Sequence, residues 1–229
     1  MAAQDTNFTR TETAVATYDR ILDIAEALFA AHGIQGTSIR QITELASVNV
    51  AAVNYHFGTK DKLVDAVIHR RFQSLEEERA LALDRIEERC RRENRPPQAE
   101  ELAAVLVQSP FRRLRSGDSG WLNFIRVLAR LTWEPGAERF APPPSSLGIF
   151  ERFDALLKLA VPDLAVDDAR RCWRLAFLRS ASQQTMLTVA MLREGKVPNA
   201  IAFAGALNQL PEEEIEKDLI RFVAAGLAS

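Results

Sequence analysis

Several things are scarce in this chain, and each scarcity narrows what it can be. No apolar run approaches the roughly 20 residues that a bilayer-spanning helix needs. The first residues, MAAQDTNFTRTET, are polar and lack the apolar centre of a secretion signal. Neither a membrane nor export is therefore expected. The two cysteines, Cys90 and Cys172, stand alone in helical, charged or amphipathic surroundings. That suggests neither a disulfide framework nor a metal site, and fits a reducing cytoplasm.

Catalytic equipment is equally thin. The three histidines, His32, His56 and His69, have no metal-ligand partner at i+4 and no adjacent nucleophile motif. Without strands there is no glycine-rich phosphate loop following one. The acidic run Glu212 to Glu214 reads as helix-start electrostatics. The chain is expected to be no enzyme and to use no cofactor and no metal.

Positive charge is also short. The formal net charge is −2. Between Met1 and Lys60 the bases Arg10, Arg20, Arg40 and Lys60 face six acidic residues. A nucleic-acid reader usually carries a basic surface that releases counterions, so composition alone would not propose one.

What is present is helical periodicity throughout, with no period-two alternation and no internal repeat, so the fold class is all-α with about nine or ten helices. From Thr17 to His32 an apolar stripe runs through Ile21, Ile24, Ala25, Leu28 and Phe29, and Gly33 stops the helix. Ser38 with Gln41 three residues on is a capping-box spacing. The helix it opens places Ile39, Ile42, Leu45 and Ala46 on one face. Ser47-Val48 forms a turn, Asn49 caps a second short helix over Val50 to Phe57, and that helix buries Val53 and Phe57. The exposed remainder carries small, amide and aromatic groups, a surface that can lie in a DNA major groove. A plain helical corner has the same shape, and the pattern alone leaves the two readings even.

Beyond Lys60 a helix is expected to run to about Asn94, about 50 Å long if unbroken, and the sequence leaves open whether it is continuous or kinked. Its second half is rich in charge and reads as a solvated helix laced with ion pairs. Pro96-Pro97 ends it. A helix over Ala99 to Gln108 and a helix or turn over Phe111 to Arg115 come next. Trp121 to Trp133 is apolar round most of its circumference and is expected to be the most buried element. A short helix at Ala137 to Phe140, a helix over Leu147 to Leu159, a long one from Asp167 to about Arg193, a short turn at Ala200 to Leu207 and a last helix after Pro211 complete the reading. The expected division is residues 14–62 for a helix-turn-helix domain and 63–229 for the helices that follow it; the resemblance described next implies DNA binding for the first and effector binding and dimerisation for the second.

The stretch GTSIRQITELASVNVAAVNYHFGTKDKL resembles the DNA-binding signature of the tetracycline-repressor (TetR) family, and the resemblance spans about Tyr18 to Leu63. It implies double-stranded operator DNA as a partner. Thr37 and Ser38 would open a helix crossing the phosphate backbone, and Arg40 would sit where some members touch a guanine edge. Asn49 would cap the reading helix at the interface. Val50, Ala51 and Asn54 would face bases, while Tyr55, His56 and Lys60 would meet phosphates. The resemblance further implies a homodimer joined through the last two long helices, Asp167 to Arg193 and Glu212 to Leu227, and a small-molecule pocket between the C-terminal helices. A homodimer doubles the contacts that a weakly charged head can make.

The C-terminal half, including DDARRCWRLAFLRSASQ, is loosely similar to PsrA-like regulators, which respond to fatty acids. This implies a small hydrophobic effector, a fatty acid or acyl derivative ahead of an aromatic one. Trp121, Phe124, Ile125, Leu128, Trp133, Phe150, Phe153 and Phe177 are the large apolar candidates for its pocket. For any one of them taken singly, core packing is the better account. The polar patch Ser180, Ser182, Gln183, Gln184 and Thr185 is compatible with a pocket lining, a dimer contact or a solvent face. The rival reading is a helical binding or carrier protein whose hairpin touches a protein partner rather than DNA.

Overall fold

The computed structural model describes residues 2–131, 134, 135, 140, 144–164, 166–193 and 210–228. Among them there is no strand. Helix α1 spans Ala2–His32, starting well before the apolar stripe because neither proline nor glycine interrupts residues 2–32. Gly33 ends it at φ +78, a left-handed conformation costly for residues with a Cβ. Helices α2 (Ile39–Ala46), α3 (Val50–Phe57) and α4 (Lys60–Glu93) follow. α4 is one unbroken rod of 34 residues.

After the proline stop come α5 (Ala99–Arg115), α6 (Ser119–Leu131) and α7 (Pro144–Ala160). A 3-10 turn at Pro162–Leu164 leads to α8 (Asp168–Arg193), and α9 (Glu212–Ala228) closes the chain. The expected short helix at Ala137 to Phe140 lies outside the described residues except for Phe140, and the expected short turn at Ala200 to Leu207 lies wholly outside them, as does Trp133.

Three expectations need correction. α5 runs straight through Pro110 instead of breaking before Phe111. Proline costs a helix interior about 3 kcal/mol, but Val107, Pro110, Phe111 and Leu114 are all buried, and their packing holds the helix together. α6 is not apolar all round: it buries Trp121, Phe124, Ile125 and Val127 on one side and leaves Arg130 exposed. Leu45 does not join the buried face of α2; it is 61% exposed, because the eight-residue helix buries only the side bearing Ile42, Thr43 and Ala46.

Two apolar cores result. The first gathers Ile21, Ala25 and Phe29 of α1, Ile42, Val53 and Phe57 of the short helices, and Leu63 to Leu75 of α4. Trp121, Phe124 and Val127 of α6 complete it, so α6 packs into the head carried by α1–α3. The second joins the rest of α4 to α5, α7, α8 and α9 through residues such as Leu83, Leu102, Phe111, Leu157 and Val223. α4 belongs to both cores.

Candidate nucleic-acid interface and effector cavity

The helix pair is built by its caps. The Gln41 N–H donates to Ser38 Oγ at 3.2 Å, and the Ser38 N–H donates back to Gln41 Oε1 at 2.7 Å, closing the capping box. Ser47 takes a left-handed conformation, φ 52 and ψ 44, and turns the chain between the helices. Asn49 Oδ1 then accepts from the Ala52 N–H at 2.8 Å and starts α3. Thr59 caps α4 in the same way, accepting from the Lys62 N–H.

On this frame Ser38, Arg40, Asn49, Val50, Ala51, Asn54 and Tyr55 are exposed, Tyr55 at 84%. Arg40 Nε lies 2.9 Å from Glu44 in an exposed i,i+4 pair, a contact weak enough to exchange for another anion or a base edge. His56 and Lys60 are half-buried. Thr37 departs from the expected set. It is 2% exposed, and its hydroxyl donates to the Gly33 carbonyl at 2.8 Å, so it braces the α1–α2 link instead of facing solvent.

Tyr18 was not among the sequence candidates, yet its ring stacks on Phe57 at 4.8 Å and meets His56 edge-on at 5.8 Å, fixing the end of α3. The signal for it is the 18, 22, 25, 29 spacing along α1, one turn before Leu22, Ala25 and Phe29.

Part of the head's acidity is answered by arginines of α4. Glu26, 1% exposed, accepts from Arg70 Nη2 at 2.7 Å and from Arg71 Nε at 3.0 Å. Arg70 also reaches Asp23 at 2.8 Å. Arg71 reaches Asp118 at 3.2 Å in the link before α6. A Cβ on Gly120 would sit 1.8 Å from Arg71 Nη2, so the glycine makes room for that bridge. At the far end of α6, Arg130 donates to the Ala30 and Ala31 carbonyls at 3.1 and 3.0 Å, holding the last turn of α1.

A cavity of about 50 Å³ lies where α4, α5, α6 and α8 converge. Trp121, Phe124, Ile125 and Leu128 line it, with Ser182 and Gln183 from the polar patch of α8. The other effector candidates lie elsewhere. Phe153 is buried in the second core, and Phe150 is half-buried beneath the Arg179 guanidinium at 4.8 Å. Phe177 is 54% exposed and stacks on exposed Trp173 at 5.6 Å. α8 turns that side outward, which its overall apolar character did not disclose. Among the described residues there is no cluster able to hold a metal ion, and no helix is long and apolar enough to cross a membrane.

A capped helix-turn-helix on a three-helix head, joined by a continuous rod to a larger helical body, defines a helix-turn-helix protein of two-domain type. The family model for bacterial regulatory proteins of the tetR family matches residues 21–67, and that for the tetracyclin repressor-like C-terminal domain matches residues 104–226, more than half of the chain. The chain belongs to the TetR family. It is 41% identical over 54 residues to the probable HTH-type transcriptional regulator YttP of Bacillus subtilis, covering 24% of this chain and 26% of that one. It is 52% identical over 48 residues to the HTH-type transcriptional repressor Rv3405c of Mycobacterium tuberculosis, covering 21% and 26%. The chain thus spans about a quarter of the length of these curated relatives. In fold it is similar to the crystal structure of the probable transcriptional regulatory protein RHA5900, with a TM-score of 0.53 and 17% identity over 93% of this chain and 99% of that one.

Proposed function

We propose that this chain is a ligand-responsive transcriptional repressor that binds a near-palindromic operator as a homodimer and lets go when a small hydrophobic effector occupies the body. The observation that carries this reading is the outward face of α3. Val50 is 48% and Tyr55 84% exposed beside Ala51 and Asn54, on a short helix capped at both ends. In a major groove, Val50 and Ala51 meet thymine methyls and Asn54 meets an adenine edge. Ser38, Tyr55, His56 and Lys60 fall to phosphates, and Arg40 leaves Glu44 for a guanine.

Dimerisation through α8 and α9 is supported by Trp173 and Phe177 on the first and Phe222 on the second, large apolar groups left exposed on packed helices. The effector reading is supported by a shared wall: Phe72, Trp121 and Phe124 line the cavity and also belong to the core of the head. Ligand pockets usually hold roughly 300–1,000 Å³, so an effector must part α4, α6 and α8 and thereby move the head. Among hydrophobic effectors a fatty acid or acyl derivative is put ahead of an aromatic compound on the likeness of the C-terminal half to PsrA-like regulators.

Fluorescence anisotropy with DNA from upstream of the protein's own coding sequence tests the reading. Saturable binding that weakens steeply with salt is expected. A stable dimer that binds no such fragment better than random DNA would favour the rival protein-binding hairpin.

A further inference from the structure

α4 and α8 each bring an arginine to the cavity wall, Arg79 and Arg179. Neither forms a salt bridge with a carboxylate among the described residues. Arg79 Nε is closed off from solvent and has no hydrogen-bond partner. Arg179 has the Phe150 ring at 4.8 Å for company. Burial pulls the Arg79 guanidinium down to about 10; the like charge of Arg179 adds to the fall, and Glu76 and Glu78 oppose it. Burial lowers Arg179 as well. Both remain cations at neutral pH.

The nearby carboxylates are partly engaged, with Glu78 Oε2 buried and without a hydrogen-bond partner. Glu78 pairs with Arg113, whose guanidinium lies over the Trp121 ring at 5.1 Å. Glu76 accepts from the Ser146 hydroxyl. Among the described residues, then, Arg79 and Arg179 both line the cavity and neither has a salt-bridge partner of its own. A partly buried cation with no salt-bridge partner among the described residues is a cost that fold stability does not explain, since an apolar side chain would pack there more favourably.

We propose that Arg79 and Arg179 are the headgroup receptor of the cavity, so that its ligand is a lipophilic molecule ending in an anion, a carboxylate or a phosphate-bearing acyl thioester. This rests on the reading of the cavity as the effector site. Trp121, Phe124, Leu128 and Met186 offer the tail an apolar wall. At the head, Gln183 supplies an amide beside the guanidiniums, while the Ser182 hydroxyl is committed to the Leu178 carbonyl at 2.8 Å. Planar guanidiniums suit carboxylate and phosphate oxygens alike.

Isothermal titration of the full-length protein with dodecanoate, dodecanoyl-coenzyme A and dodecan-1-ol tests this at constant chain length. At least one anion is expected to bind ten-fold or more tightly than the alcohol, and which anion does so identifies the headgroup. Arg79→Gln and Arg179→Gln each reduce that affinity at least ten-fold while leaving the alcohol within three-fold, and Arg79→Lys retains most of it. Arg79→Gln should also melt at or above the wild-type temperature, because it removes an unpaired charge. Equal binding of acid, thioester and alcohol, or Gln variants that keep the anion, overturns the receptor and leaves a lipophilic effector standing. A melt of Arg79→Gln far below wild type makes Arg79 a structural cation and likewise overturns it. Failure of all three probes to bind overturns the effector reading together with the receptor.

Discussion

Phe72 of α4 and Phe124 of α6 meet edge to face, with ring centroids 5.5 Å apart and planes at 89°. Trp121 packs on Phe124 from one turn away at 5.8 Å and 87°. These rings close the head core on one side and the cavity on the other. Because Phe124 is fully buried, Phe124→Ala should lower the unfolding free energy by about 3–5 kcal/mol. Urea titration followed by circular dichroism checks this; a loss below about 1 kcal/mol would mean that the two rings are not a structural joint.

The buried carboxylate of Glu26 answers two guanidiniums at once. Glu26→Gln leaves Arg70 and Arg71 facing a neutral amide and should cost about 3–5 kcal/mol. Gly120→Ala strikes the same bridge from the other side by displacing Arg71. The two changes share a partner, so the double variant should lose clearly less than the sum of the single losses. Strict additivity in thermal or urea unfolding would show that Gly120 and Glu26 act independently.

Asn49 has two roles that substitution can separate. Asn49→Ala removes the bond to the Ala52 N–H and should cost about 1 kcal/mol of stability. Asn49→Asp preserves the cap but adds negative charge at the proposed DNA face. Its melting temperature should match wild type while operator affinity falls, as measured by anisotropy. Unchanged affinity for Asn49→Asp would place the residue away from DNA.

Arg40→Ala should weaken operator binding by about 1–3 kcal/mol if the guanidinium reads a base, with a smaller loss on random DNA. Equal losses on both, with a salt dependence reduced by about one ion, would make Arg40 a phosphate contact. Its exposed pair with Glu44 contributes too little to fold stability to confuse the result.

Glu101 links the start of α5 to the end of α4. Its carboxylate accepts from Arg95 at 2.8 Å and from Arg89 at 2.8 Å, and the Arg95 hydrogen bond is the main cause of a fall to about 2. A carboxylate whose folded pKa lies below its unfolded value contributes stability above the unfolded pKa and loses it as pH falls through the folded one. The melting-temperature gap between wild type and Glu101→Gln should thus be fully open at pH 7, begin to narrow near pH 5 and close towards pH 2. A gap that is constant across this range would rule out the ionic contribution.

What could be read in the sequence was local. Ser38 with Gln41, Asn49, Gly33 and the pair Val53 and Phe57 act within four residues, and the rules for caps and helix faces apply to them directly. What could not be read depends on distant partners. The head looked too acidic because Glu26 is answered by Arg70 and Arg71, more than 40 residues downstream. Pro110 looked like a helix break because the packing that supports it comes from other helices. Thr37 looked available to phosphate because its bond to Gly33 exists only once α1 turns. The aromatic residues of the body are visible in the sequence, but the helix face each occupies is not, and Phe177 and Phe153 carry the same signal as Phe124. The two cavity arginines gave no signal in a charged stretch where most side chains are solvated.

The continuity of α4 gives the molecule leverage. Arg79 at the cavity and Lys60 at the foot of the head stand 19 positions apart on one rod, roughly 28 Å at the helical rise. Swinging that rod by about 5° at the cavity end would carry the head about 2.5 Å, and a two-fold mate doing the same would change their separation by about 5 Å against a duplex repeat of roughly 34 Å. A rod broken at mid-length would dissipate such a swing in its hinge; an intact one multiplies it by its length.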